Sequence, residues 1–231
     1  MRIQKIIPSI MAKNQKELNS QINLIKDFAH TLHLDITDGN FVNNKTFQFP
    51  FKLKKGFNYM AHLMIENPEK WIKKYFKAID LIIPHIETLD DPIDYFMWIK
   101  GKNKPAAFAI LPETKVKMIE PALEFVDYVL ILTVKPGFYG SKFMKSQLKK
   151  IKQIKKINPK VKVIVDGGMD LKNIELASDL GTDHFISGSY IMAGENPKKN
   201  YKELHYAWAK ERLFLQNPRR RVTVKRIIKK K

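Results

Sequence analysis

Eight short apolar runs recur along the chain, and their alternation with polar, helix-like stretches constrains the fold more than any other feature. The runs are Lys5–Ile10, Thr31–Thr37, Asn58–Ile65, Asp80–Ile86, Pro105–Leu111, Asp127–Val134, Val161–Asp166 and Asp183–Ser189. Between and after them lie amphipathic stretches at Asn14–Phe28, Pro68–Ala78, Pro92–Lys100, Lys145–Ile157, Leu171–Leu180 and Pro197–Leu215, the connection after the second run being the least helical. Such alternation is the pattern of repeated βα units around a parallel sheet. Eight strands with following helices in roughly 200 to 250 residues are what a closed (β/α)8 barrel requires, and the chain has 231 residues. An open doubly wound sheet would place a Gly-rich dinucleotide loop after its first strand, whereas here that strand ends in Pro8-Ser9-Ile10. The expectation is an α/β fold, a single (β/α)8 TIM barrel. No linker rich in Gly, Ser or Pro divides residues 1–215, so one domain is expected over 1–217, with a short basic tail at 218–231.

The chain is 44% hydrophobic, enough for a core that buries roughly 70% of the unfolded surface at this size, which excludes disorder of the whole. It contains no Cys. That removes disulfides, thiolate metal sites and cysteine nucleophiles, leaving His, Asp, Glu and Lys to carry any chemistry. No apolar stretch resembles a cleavable leader, and none approaches the ~18 residues of a membrane span. A soluble, cytoplasmic protein is expected.

Lys and Arg total 42 against 23 acidic residues, a formal charge of +19. Much of it is lysine on solvated surface. Lys142–Lys162 holds nine Lys and no acid, with Leu148, Ile151, Ile154 and Ile157 at helical spacing, the pattern of an amphipathic helix with a charged outer face. The final fourteen residues differ: eight are Lys or Arg, and they hold four of the six Arg in the chain. Two readings stay open for this segment, expected to be disordered. It is either an arm for RNA or anionic lipid, or an inert frayed terminus.

In a barrel of this kind chemistry sits at the C-terminal ends of the strands. His33 and Asp35, two apart on one strand, share a face. The third run offers His62, and the seventh ends in Asp166-Gly167-Gly168. Singly, a strand His is usually a hydrogen-bonded core residue and an Asp before Gly a turn former. Together, two imidazoles and two carboxylates from three strands can surround one divalent ion and leave positions open. Zinc, iron, manganese and cobalt all suit that donor set. Glycines point to an anion: Gly137-Phe138-Tyr139-Gly140 follows the sixth run, Gly167-Gly168 the seventh, and Gly188-Ser189 ends the eighth. Glycine lets backbone N–H groups approach an oxyanion, and the last two loops of such barrels commonly hold phosphate. A sugar phosphate is the ligand these features suggest.

Pro8-Ser9-Ile10, His33-Leu34-Asp35-Ile36-Thr37-Asp38-Gly39-Asn40-Phe41-Val42, His62-Leu63-Met64, Pro84-His85-Ile86-Glu87, Thr133-Val134-Lys135-Pro136-Gly137-Phe138, Val165-Asp166-Gly167-Gly168 and Ser187-Gly188-Ser189 stand in an order and spacing that resembles the ribulose-phosphate 3-epimerase family, over about residues 5–195. The resemblance implies a ribulose-phosphate-binding barrel that inverts C3 of a 2-ketose phosphate, ribulose 5-phosphate to xylulose 5-phosphate, through an enediolate. It implies metal ligands at His33, Asp35, His62 and Asp166, with Asp35 and Asp166 as the acid/base pair. It places substrate contacts at Ser9, His62 and Met64, and phosphate at Gly137, Phe138, Tyr139, Gly140, Gly167, Gly168, Gly188 and Ser189. It also implies a homo-oligomer.

The sequence departs from the family pattern at several points. Thr37 and Leu132 stand where Met is common, Tyr139 where the phosphate loop usually has Gly, and Asn43 where Pro is usual. His85 and Glu87 share a face of the fourth strand as wall residues, and Asp38 before Gly39 reads as a turn residue. Two alternatives remain: an allulose-6-phosphate 3-epimerase of the same barrel family, and an inactive barrel that binds RNA through residues 218–231.

Overall fold

The computed structural model describes residues 3–216, so the basic tail at 218–231 lies outside the described residues. Eight parallel strands form the barrel wall: β1 (Ile6–Ile10), β2 (Thr31–Asp38), β3 (Asn58–Met64), β4 (Leu81–Pro84), β5 (Ala107–Ile110), β6 (Tyr128–Leu132), β7 (Lys162–Asp166) and β8 (His184–Ser187). They run in the order β4-β3-β2-β1-β8-β7-β6-β5. The ring closes through a parallel bridge between His85, just past β4, and Ala109 of β5.

Helices α1 (Gln15–Ile25), α2 (Pro68–Tyr75), α3 (Pro92–Gly101), α4 (Val116–Ile119), α5 (Lys149–Ile157), α6 (Leu171–Ser178), α7 (Ser189–Met192) and α8 (Pro197–Gln216) fill the connections. Their starts are written locally. Asn14, Asp91 and Asp170 accept hydrogen bonds from the amides of Glu17, Asp94 and Asn173, capping α1, α3 and α6. The β2–β3 connection has no helix, as expected, and carries instead a two-residue strand, Lys45–Thr46, antiparallel to the end of β2.

Strand alternation separates two apolar layers. Outward residues such as Leu32, Leu34 and Ile36 pack under the helices, in one cluster with Leu18, Ile22 and Ile151. Inward residues form a second cluster: Ile7, Met60, Leu81, Ile83, Ala107, Ala109, Leu130, Leu132, Ile164 and Ile186. Seven of the eight strands supply it and β2 supplies none, because its inward positions are Thr31, His33, Asp35 and Thr37, all buried. Burying each large side chain of these layers is worth roughly 1.5–3 kcal/mol. That apolar surround is the setting in which the polar stripe of β2 must find partners.

The lysine-rich stretch divides into a 3-10 turn at Lys145–Leu148 followed by α5. One of its lysines departs from the solvated face: Lys150 is 7% exposed, and its ammonium donates to the carbonyls of Leu111 and Pro112 at 3.1 and 2.9 Å. The fourth strand ends at Pro84, earlier than its apolar run, and Ile86–Thr88 forms a 3-10 turn. Among the described residues no helix is long and apolar enough to cross a membrane.

Candidate active site

Register brings the polar residues to one level of the barrel. Ser9 on β1 pairs with His33 on β2, Asp35 with His62 on β3, and Asp166 at the end of β7 with Leu132 and Ile186. One ligand atom each from His33, Asp35, His62 and Asp166 lies within 4.8 Å of the others. His33 Nε2 is 3.2 Å from Asp35 Oδ1 and 3.7 Å from Asp166 Oδ2. His62 Nδ1 is 3.3 Å and 3.5 Å from the same two oxygens. The second oxygen of Asp35 accepts a 2.8 Å hydrogen bond from the Ser9 hydroxyl.

The electrostatics are those of a closely coupled charge cluster. Burial alone would raise the pKa of Asp35, but the charges of His33 and His62 and the hydrogen bond of His62 outweigh it and hold the carboxyl well below the usual range. Burial would lower His62, yet hydrogen bonds and charge from Asp166 and Asp35 push it up to about 9. His33 has no solvent exposure, and neither of its ring nitrogens has a hydrogen-bond partner, since its approach to the carboxylates is off-line. Buried imidazole nitrogens are rarely left so. Two imidazole nitrogens and two carboxylate oxygens converging on one point fit a divalent cation, which would give the His33 lone pair its missing partner.

Above the cluster lies a narrow cleft with a volume of about 60 Å3 open to a water-sized molecule. Of the residues singled out by sequence, Ser9, Asp35, His62, Met64, Gly137, Phe138, Tyr139, Gly140, Asp166, Gly167, Gly168, Gly188 and Ser189 line it, while His33 sits beneath its floor. Gly167 requires its residue type twice over: φ is +103°, and a Cβ would stand 2.3 Å from Val134 Cγ2. At Gly188 the constraint is space, because a Cβ would meet the Tyr139 ring at 2.5 Å. The Tyr139 side chain turns into the cleft and donates to the Ser9 carbonyl at 2.8 Å. Burial, with Asp35 close by, raises its pKa, so the phenol stays a neutral donor. The β2–β3 loop braces the phosphate-side loop through Asn44 Nδ2, which donates to the Gly137 carbonyl at 2.6 Å.

Met11, Leu132 and Val134 line the cleft together with Met64 as its apolar wall. Met11 stands two residues after Ser9, a spacing that could have revealed it. Thr37 does not reach the cleft; its hydroxyl is 3.0 Å from that of Thr46. Asp38 accepts from the amides of Asn40, Phe41 and Glu66, the bonding of a turn residue. His85 and Glu87 meet through the 3-10 turn rather than along a strand, with His85 Nδ1 3.2 Å from Glu87 Oε2.

Fold and cleft together define a (β/α)8-barrel protein whose polar cluster sits at the C-terminal strand ends. Solved barrels confirm the architecture. The chain superposes on a 3-hexulose-6-phosphate synthase with a TM-score of 0.64 at 16% identity, covering 88% of this chain and 99% of that one. It superposes on an orotidine 5'-phosphate decarboxylase from Pyrococcus horikoshii OT3 with a TM-score of 0.61 at 16% identity and the same coverage. Sequence is more specific. Residues 5–192 match the Ribulose-phosphate 3 epimerase family. The chain is 32% identical over 209 residues to a ribulose-phosphate 3-epimerase of Aquifex aeolicus, covering 86% of this chain and 94% of the relative. It is 31% identical over 212 residues to one of Bacillus subtilis, covering 87% and 97%. The chain belongs to the ribulose-phosphate 3-epimerase family, a family of isomerases.

Proposed function

We propose that this chain inverts C3 of a pentulose 5-phosphate, interconverting ribulose 5-phosphate and xylulose 5-phosphate, with Asp35 and Asp166 as the proton-transfer pair. The observation that carries the reading is the placement of these two carboxylates at one cleft on β2 and β7, strands separated in the barrel by β1 and β8. Inversion next to a carbonyl needs a base to take the C3 proton and an acid to return one to the opposite face. Both carboxylates reach the cleft, and the neighbouring histidines, against the effect of burial, keep Asp35 ionised and able to accept a proton. Ser9 holds one oxygen of Asp35, which aims the other at the cluster.

His33, His62, Asp35 and Asp166 would hold one divalent ion: zinc, iron, manganese or cobalt. Bound there, such an ion would supply positive charge that lowers the cost of an enediolate. Met11, Met64 and Leu132 wall that region with apolar surface, which limits water and strengthens the electrostatics inside. The glycine-rich ends at Gly137–Gly140, Gly167–Gly168 and Gly188–Ser189 lie on the same cleft and would take the phosphate.

Incubation with ribulose 5-phosphate and, separately, allulose 6-phosphate tests the reading, with the products separated and identified. Xylulose 5-phosphate formed at the higher kcat/KM supports the pentulose assignment. Preferential turnover of the hexulose phosphate would replace the substrate, and turnover of neither would remove the activity.

A further inference from the structure

His85 and Glu87 take no part in the proton transfers, yet they are packed directly behind the cluster. His85 has no solvent exposure, the Phe41 ring packs on it at 4.6 Å, and its Nε2 lies 2.9 Å from Nε2 of His62. At that distance one nitrogen carries a hydrogen and the other accepts it. The remaining contacts decide which. His85 Nδ1 is 3.2 Å from Glu87 Oε2, and Glu87 Oε1 already accepts from the Leu111 amide at 3.0 Å and from the Thr114 hydroxyl. Those bonds, with His85, outweigh burial and keep Glu87 below the usual carboxyl pKa. A carboxylate donates nothing, so His85 carries its hydrogen on Nδ1. A ring that carries its hydrogen on Nδ1 keeps its lone pair on Nε2, the atom 2.9 Å from His62 Nε2. His62 therefore donates from Nε2. Its Nδ1, the atom facing Asp35 and Asp166, is the nitrogen whose proton a bound cation would displace. Lys150 steadies the far end through the Leu111 and Pro112 carbonyls.

We infer that Glu87 and His85 are positioning residues, a buried hydrogen-bond chain that fixes the tautomer of His62 and presents its Nδ1 lone pair to a divalent ion. The inference rests on the reading of the four-residue cluster as an ion site. Outer partners of this kind are worth about 10 to 100-fold in metal affinity.

Co2+ serves as the probe, titrated into the metal-free protein against a competing chelator and followed by its visible absorption. Glu87→Gln is near-isosteric. Its amide can satisfy Leu111 and Thr114 only by turning NH2 towards His85, which reverses the chain and moves the His62 hydrogen onto Nδ1. Co2+ affinity is expected to fall about 10 to 100-fold. His85→Leu should lose a similar factor. His85→Gln keeps a carbonyl that can accept from His62 Nε2 and should retain most of the affinity. A second readout needs no variant: ring nitrogen shifts of the metal-free wild type at pH 7 should place the His85 hydrogen on Nδ1. Wild-type affinity in Glu87→Gln, or a His85 hydrogen on Nε2, would overturn the inference alone. Absence of Co2+ binding by the wild type would overturn the ion-site reading beneath it.

Discussion

The Ser9 hydroxyl donates to Asp35 Oδ2 at 2.8 Å across the β1–β2 pair, while Asp35 Oδ1 faces His33 and His62 at 3.2 and 3.3 Å. One carboxylate is thus split between an orienting bond and the cluster. A hydrogen bond to a charged group is worth about 1.5–3 kcal/mol. Ser9→Ala should therefore lower kcat by roughly tenfold or more, with a smaller change in KM, and steady-state kinetics on ribulose 5-phosphate would show it. Wild-type kcat would mean that Asp35 is oriented by the histidines alone.

Asp35 and Asp166 are the proposed proton carriers. Replacing either by Asn keeps the shape and removes the basic oxygen. Positioned acid/base groups contribute about 10²–10⁴-fold, so Asp35→Asn and Asp166→Asn should each lose at least that factor in turnover with circular dichroism unchanged. Near-normal activity in Asp35→Asn would sink the assignment.

Tyr139 crosses the cleft from the phosphate-side loop to the Ser9 carbonyl, its ring against Gly188. A phosphate seated at the Gly188–Ser189 end needs part of that space. Tyr139→Gly should tighten competitive inhibition by inorganic phosphate several-fold. Unchanged or weaker inhibition would show that the ring and the phosphate do not compete.

His184 opens β8 at the N-terminal mouth of the barrel and donates from Nδ1 to the Gln4 carbonyl at 2.8 Å. Burial, assisted by Lys5 and Lys162 and only partly offset by the Gln4 carbonyl and Asp183, lowers its pKa from 6.5 to about 4. The Tyr128 ring packs beside it at 6.0 Å. The unfolded imidazole takes up its proton near 6.5 and the folded one only near 4. The stability contribution is therefore complete above about pH 6.5 and lost as pH falls to 4, a difference on the order of 3 kcal/mol. Urea unfolding at pH 7.5, 6, 5 and 4 should show a steeper loss in the wild type than in His184→Gln. Parallel curves would exclude His184 as a source of acid sensitivity.

The barrel was legible because its strands carry a pattern that sterics enforce. On β2 the inward positions of Thr31-Leu32-His33-Leu34-Asp35-Ile36-Thr37 are polar and the outward ones apolar, so alternation alone set His33 and Asp35 facing inward together. Gly167 was legible as a special backbone position because it closes a strand before a second Gly. Other features depend on tertiary contact. The inward turn of Tyr139 follows from space left by Gly188, some fifty residues away. The link from His85 to Glu87 is made by a 3-10 turn after Pro84, which ends β4 early, and the partner that gives it meaning, His62, lies on another strand. Lys150 reads as one more solvated lysine until Leu111 and Pro112 present two carbonyls to it. Short helices α4 and α7, of four residues each, are too brief to show periodicity.

The most direct test is proton NMR of the protein with one divalent metal bound, in D2O, with ribulose 5-phosphate as substrate. Loss of the C3 proton signal together with appearance of xylulose 5-phosphate deuterated at C3, both absent in Asp35→Asn and Asp166→Asn, is the predicted result. No C3 exchange and no epimer from ribulose 5-phosphate would contradict it.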